Sequence, residues 1–232
     1  NIVKNGNTVY GKPKFMCKDC RKQFVENPDI RKIMDEKKSL IDKMLLERIS
    51  LAGICRVLGI SQRRLQSYVD EKYQHIKKKL ETIFKGKIRL TIGCDEIRAY
   101  AGSKKNNYWI WLAIDPETGE IVGVYIGTRG RESAKKLWDS LPPEYRRCAV
   151  IYTDFWEAYV GVLPSKRRRR AAKNSGKTSH IERFNNTLRQ RISRLVRKTL
   201  SFSKNLENLI GAVLLFIHDH NNMIKKEITD TI

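Results

Sequence analysis

Three carboxylates stand where the surrounding pattern puts strand ends and a helix start. Asp95 falls late in the apolar run 88–97 and is followed by Glu96; Asp154 closes the run 148–153; Glu182 opens a long amphipathic segment. Carboxylates brought together repel one another unless a cation neutralises them. Oxygen-only ligands suit Mg2+ or Mn2+ rather than zinc. Two such ions about 3.5–4 Å apart can activate an attacking oxygen and stabilise a leaving one. Each carboxylate also has an ordinary explanation. A strand-end Asp is often a turn residue, and Ser179-His180-Ile181-Glu182 matches the S-x-x-E capping box, which would make Glu182 a helix cap.

Helical phasing bears on that choice. At about 3.6 residues per turn, Ile181, Phe184, Leu188, Ile192 and Leu195 share one face, expected to pack on a sheet. Glu182, Asn186, Arg189 and Ser193 line another face. A cap needs no such neighbours, whereas a metal-binding Glu beside a nucleic acid would profit from Asn186 and Arg189 as phosphate contacts.

The elements that must hold these groups can be read from periodicity. Strand-like runs cover 88–97, 108–114 and 121–127, the last two joined by the turn-rich Asp115-Pro116-Glu117-Thr118-Gly119-Glu120. An amphipathic helix over 131–141 stops at Pro142-Pro143, a fourth strand over 148–153 ends at Asp154, and a short helix covers 155–163. The basic run 166–170 flanks or includes a weak fifth strand, and helices from about Ser179 and over 206–218 close the chain. This order predicts an α/β fold, an RNase H-like mixed sheet with flanking helices. In such a sheet the strands carrying Asp95 and Asp154 are neighbours.

Upstream, 35–82 is helical in pattern. Residues 51–69 fit a helix-turn-helix, with Ile54, Val57 and Leu58 facing inward, Gly59 in the tight turn, and Leu65 and Val69 anchoring the next helix. That helix is expected to continue into Lys77-Lys78-Lys79. Gln62, Arg63, Gln66 and Arg64 are left outward near its start, where Arg can pair with guanine and Gln with adenine in the major groove. A plain three-helix bundle with a polar face is the alternative. The expected division is a partial zinc-ribbon-like segment over 1–30, the helix-turn-helix and linker over 31–87, and the carboxylate-bearing domain over 88–232.

Cys17-Lys18-Asp19-Cys20 has zinc-knuckle spacing, but two thiolates fill only half of a tetrahedral Zn2+ site. Either a partner pair lies upstream of Asn1, or the site is broken, or both are ordinary thiols. Cys55, Cys94 and Cys148 sit singly among apolar residues, and an odd count of 5 argues against a disulfide framework.

Charge narrows the partner. Among the 232 residues, 47 are Lys or Arg and 25 Asp or Glu, a net of +22. Residues 1–87 hold 21 basic against 10 acidic groups, 88–160 hold 10 of each, and 161–232 hold 16 against 5. A neutral centre between basic flanks suits a polyanion, because phosphate contacts release condensed counterions. Arg168, Arg169 and Arg197 are expected DNA contacts on the second flank. No apolar run approaches the ~20 residues of a membrane span, and no secretory signal is visible. A cytoplasmic, nucleoid-associated prokaryotic protein is the expectation.

From 88 onward the chain resembles transposases of the insertion sequence one family. The matching stretches are Asp95-Glu96, 109–119 with its Ala113-Ile114-Asp115 core, Leu141-Pro142-Pro143, Tyr152-Thr153-Asp154-Phe155-Trp156 and His180-Ile181-Glu182-Arg183-Phe184-Asn185, with the run 194–204 the most specific. The N-terminal part looks like the zinc-finger and helix-turn-helix region of the same family. The resemblance implies Mg2+-dependent cleavage of DNA at terminal inverted repeats and transfer of the freed 3′-hydroxyl into target DNA. It implies a triad of Asp95, Asp154 and Glu182, and a homodimer or larger homo-oligomer that holds two ends together. Two departures stand out: Phe155, where small residues are common in relatives, and the missing first cysteine pair. A catalytically idle DNA-binding regulator and an RNase H-like nuclease or resolvase are the rival readings.

Overall fold

The computed structural model describes residues 1–9, 11–26, 33–83, 90–171, 176, 178–195 and 203–230. The chain divides into two compact units, Asn1–Lys38 and Ser39–Ile232.

The first unit is a three-stranded antiparallel sheet of β1 (Ile2–Asn7), β2 (Pro13–Cys17) and β3 (Gln23–Val25), in that order. The Cys17-Lys18-Asp19-Cys20 turn links β2 to β3, with Arg21 at φ 56° donating its N–H to the Cys17 carbonyl at 2.8 Å. Phe15 and Phe24 stack across the strand pair with ring centroids 5.9 Å apart.

After α1 (Asp35–Leu45), the second unit continues with α2 (Leu51–Leu58) and α3 (Gln62–His75). Ser50 starts α2 by accepting the Gly53 N–H at 3.1 Å, and Gly59, at φ 62°, ends it in the left-handed conformation that a residue without Cβ adopts cheaply. Ile54, Leu65 and Val69 are fully buried, as the phasing predicts. Val57 is not: it is 69% exposed. The buried arc of this short helix runs through Leu51, Ile54, Cys55 and Leu58, and at about 100° per residue Val57 falls beyond its edge. α3 ends at His75 and does not extend through Lys77-Lys78-Lys79.

Five strands form the main sheet: β4 (Thr91–Ala101), β5 (Ser103–Ile114), β6 (Ile121–Gly127), β7 (Val150–Thr153) and β8 (Arg168–Arg170), in spatial order β6-β5-β4-β7-β8. The first three pair antiparallel, while β4–β7 and β7–β8 are parallel, so the sheet is mixed. Successive strand residues point to opposite faces, and the two cores divide accordingly. On one face Ile97, Ile110 and Leu112 pack with Phe184 and Leu188 of α6 (Ser179–Arg191) and Phe216 of α7 (Leu206–Asp230). On the other, Cys94 and Trp111 pack with Leu137 of α4 (Arg131–Ser140), Tyr145 of α5 (Pro143–Cys148) and Tyr159. Ile181, Phe184, Leu188, Ile192 and Leu195 are all buried, as expected of the sheet-facing stripe.

Several elements differ from the sequence expectation. β5 begins at Ser103 because the polar stretch Lys104–Asn107 continues the hairpin, with Arg98 donating to Asn107 Oδ1 at 2.8 Å; polar residues on both faces give no alternation to read. Pro142 stops α4 by disfavouring helical backbone at Leu141, and Pro143 opens α5, since a missing N–H costs nothing at a helix's first position. The segment 155–163 contains only a single 3-10 turn, Glu157–Tyr159, in place of a short α-helix. α7 continues past His218 to Asp230, where the buried Asn221 side chain accepts the Ile121 N–H at 3.0 Å and donates to its carbonyl at 2.9 Å. The last residues of the expected linker, 84–87, and the expected strand start at Ile88 lie outside the described residues.

Candidate active site

β4 and β7 lie side by side and parallel, with Cys94 opposite Thr153 as the last registered pair. The next residue on each strand is a carboxylate: Asp95 and Asp154. The Asp154 side chain accepts the Trp156 N–H at 2.9 Å, a local turn that ends β7 and aims the carboxylate off the sheet. Oxygens of Asp95, Glu96 and Asp154 lie within 4.8 Å of one another, the one such group of metal-capable side chains among the described residues.

The pleat separates the adjacent pair. Asp95 faces α6, where Asn185 Nδ2 donates to its Oδ2 at 2.7 Å. Glu96 faces the opposite layer; its Oε1 accepts Arg129 Nε and Nη2 at 3.1 and 3.0 Å, and its Oε2 accepts the Tyr159 hydroxyl at 3.3 Å. A cavity of about 320 Å³ opens over the group and is lined also by Glu182, Asn186 and Arg189. Of the four residues expected to share this face, Glu182, Asn186 and Arg189 line the cavity, whereas Ser193 falls past the end of α6 and lines a separate cleft. Glu182 stands at the cavity wall, outside the 4.8 Å group, and its Oε1 accepts the Thr178 hydroxyl at 2.9 Å. The capping-box explanation does not apply: α6 is capped by Thr178, not Ser179, and no side-chain cap bond forms there.

Burial dominates the electrostatics. It raises the Asp95 carboxyl above its ordinary value, and the nearby Asp154 charge adds to the rise. Burial also pushes Glu96 up to about 7 against the Arg129 hydrogen bonds that pull it down. The Tyr159 hydroxyl is raised well above its usual value, first by burial and then by the Glu96 charge. Three carboxylates crowded this closely are costly unless a cation is shared among them. A hard divalent cation fits the donor set: the ligands are all oxygen, and the buried Asn185 Oδ1 at the same cavity has no hydrogen-bond partner among the described residues.

The other sequence-predicted residues are spread more widely. Gln62, Arg63 and Arg64 are exposed at the start of α3. Gln66 is half-buried, donates to Asp70 Oδ1 at 2.7 Å, and lines a separate cleft with Ser193 and Arg194. Arg168 turns inward, donating to Thr153 Oγ1 at 3.1 Å with its guanidinium over the Tyr159 ring. Arg169 is exposed beside it, and Arg197 lies outside the described residues. In the first unit, backbone N–H groups of Cys20 and Asp19, with the Cys20 side chain, lower the Cys17 thiol. No group of three or more metal-capable side chains among the described residues includes Cys17 or Cys20.

Sequence reasoning left out Asn185, Tyr159 and Arg129 as site residues. Asn185 carried a usable signal, three residues after Glu182 on one helix. Arg129, in a Gly-Thr-Arg-Gly turn, and Tyr159, at apolar spacing, carried none.

Residues 90–222 match the family model described as IS1 transposase. Insertion element iso-IS1n protein InsB of Shigella dysenteriae is 34% identical over 128 residues, covering 54% of this chain and 92% of that protein. Insertion element IS1 protein InsB of Shigella sonnei is 34% identical over 127 residues, covering 53% of this chain and 93% of that one. Among solved structures, a chain of the simian T-cell lymphotropic virus intasome in complex with PP2A regulatory subunit B56 gamma aligns with a TM-score of 0.39 and 13% identity, over 72% of this chain and 63% of that one. The matched region holds the whole carboxylate cavity, and the chain belongs to the IS1 transposase family.

Proposed function

We propose that this protein is a DNA transposase that binds terminal inverted repeats, cleaves DNA at their ends in a Mg2+- or Mn2+-dependent reaction, and transfers the freed 3′-hydroxyl into target DNA. The observation that carries the reading is the convergence of Asp95 and Asp154 from adjacent parallel strands on a cavity that α6 lines with Glu182, Asn186 and Arg189. The sheet order, with three antiparallel strands followed by two parallel ones, supports an RNase H-like catalytic domain.

Asp95, Asp154 and Glu182 would hold the cation. When bound, such a cation supplies an activated oxygen nucleophile and charge stabilisation at the leaving oxygen. The remaining work falls to the chain itself. Asn185 holds Asp95 in place, while Asn186 and Arg189 orient the phosphodiester along α6. Buried walls on both layers keep the carboxylates partly desolvated, which strengthens their grip on a cation.

DNA recognition is assigned to α2 and α3 as a helix-turn-helix, with Arg63, Arg64 and Gln62 at the base edges and Gln66 behind them. Arg168, Arg169 and Arg197 belong to the basic flank that meets the backbone. Cys17 and Cys20 supply half of a zinc-ribbon site. The three-part organisation over 1–30, 31–87 and 88–232 remains part of the proposal, as do a homodimer or larger assembly holding two transposon ends and a cytoplasmic, nucleoid-associated location. Among the described residues no helix is long and apolar enough to cross a membrane.

The test combines protein, labelled terminal-repeat DNA, a target plasmid and Mg2+. Joined product is the expected outcome. Cut but unjoined DNA would point to a nuclease or resolvase, and bound but uncut DNA to an idle regulator.

A further inference from the structure

Glu96 follows a metal-capable Asp and lies within 4.8 Å of two carboxylates. Proximity alone would make it a ligand, but its hydrogen bonds indicate a different task. Both of its oxygens are engaged on the face away from α6, Oε1 by two nitrogens of Arg129 and Oε2 by Tyr159. The side chain is 1% exposed. Arg129 in turn lies over two indoles, its Cζ 4.2 Å from the Trp109 ring centroid and 3.9 Å from that of Trp156. Cation–π contact on two rings and a forked bond to one carboxylate fix a guanidinium far more tightly than a surface salt bridge does.

Besides neutralising the buried Glu96, a guanidinium fixed in this way can present its remaining edge to a ligand. Nη1 makes no hydrogen bond among the described residues, the side chain is 39% exposed, and Arg129 lines the carboxylate cavity. The cavity wall is otherwise strongly anionic near Asp95 and Asp154. An anionic backbone entering it needs a cationic contact on that side, as Arg189 provides on the α6 side.

We propose that Arg129 clamps a DNA phosphate at the rim of the carboxylate cavity, and that Glu96 is its positioning residue rather than a ligand of the cation. The proposal rests on the transposase reading, and its test separates the two. Binding of a fluorescein-labelled mixed-sequence duplex is followed by anisotropy in EDTA over a range of KCl concentrations, using the full chain. Arg129→Ala is expected to weaken binding about threefold to tenfold and to lower the slope of log affinity against log salt by about one unit. Unchanged affinity and slope would overturn the clamp. If circular dichroism shows Arg129→Ala unfolded, Arg129→Gln, close in size and uncharged, gives the same reading. Mn2+ titration followed by electron paramagnetic resonance tests the second half. Glu96→Gln is expected to weaken Mn2+ binding only through the loss of a nearby charge, and so clearly less than Asp154→Asn, which removes a ligand as well. A loss in Glu96→Gln equal to that in Asp154→Asn would make Glu96 a ligand and overturn its positioning role. Neither measurement uses strand transfer, so failure to form joined product would reject the transposase reading while leaving the clamp to be judged by its own slope.

Discussion

Asn185 and Asp95 meet through a 2.7 Å hydrogen bond between α6 and β4, with the amide Nδ2 donating to carboxylate Oδ2. Asn185 is 96% buried, and its remaining oxygen is unpartnered among the described residues. The bond ties the helix that carries Glu182 to the strand that carries Asp95, so one contact sets the spacing of two carboxylates from different elements.

Asn185→Ala should therefore loosen Asp95 without removing any charge. A strand-transfer rate lower by about 10- to 100-fold is expected, the usual cost of losing a partner that orients a metal ligand. Thermal unfolding of the variant should still be cooperative. A rate within twofold of wild type, the range of ordinary surface changes, would show that α6 and β4 keep Asp95 aimed without the amide.

Asp154→Asn and Glu182→Gln test the two carboxylates one at a time. Both are expected to abolish Mg2+-dependent cleavage while leaving DNA binding in EDTA intact. Glu182→Gln should also leave stability unchanged, because an amide oxygen can still accept the Thr178 hydroxyl. Normal strand transfer by Glu182→Gln would reduce Glu182 to a partner of Thr178. Substantial cleavage by Asp154→Asn would remove Asp154 from the metal site.

On α3, Arg63 and Gln66 should behave differently. Arg63 is exposed, and Arg63→Ala is expected to cost about 1–3 kcal/mol of binding to the terminal repeat and to relax specificity at one base position. Gln66 is already bonded to Asp70, so Gln66→Ala should cost clearly less. Competition binding against single-base variants of the repeat measures both. A loss for Arg63→Ala that is uniform over all variants would mark Arg63 as a phosphate contact.

Gly211 is where α7 passes closest to α3: a Cβ added there would run into the Cβ and ring of Tyr73. Neither is the movable end of a long side chain, so the helices must shift. Gly211→Ala should destabilise the protein by about 1–3 kcal/mol, the cost of overpacking a filled core, despite the better helix propensity of Ala. A urea midpoint at or above wild type would show that the α3–α7 packing yields easily.

The two aspartates and the sheet beneath them were legible in the sequence because their signals are local. Apolar runs ending in Asp give strand ends, a 3.6-residue stripe gives the sheet-facing side of α6, and turn residues give the connections between them. The family resemblance and the basic flanks follow from that one-dimensional record, whereas the expectation that the strands of Asp95 and Asp154 are neighbours came from the fold that the element order suggested, and their parallel register is seen only in the structure. What the sequence could not supply was contact between residues far apart in the chain. Asn185 reaches Asp95 across 90 positions and Arg129 reaches Glu96 across 33. Such pairings leave no periodicity, because each depends on which face of the pleat a side chain occupies and which loop folds over it. Glu96 shows the difference: the sequence placed it beside Asp95 without assigning it a role, and only the tertiary structure brings Tyr159 and Arg129, the latter held between Trp109 and Trp156, against its oxygens.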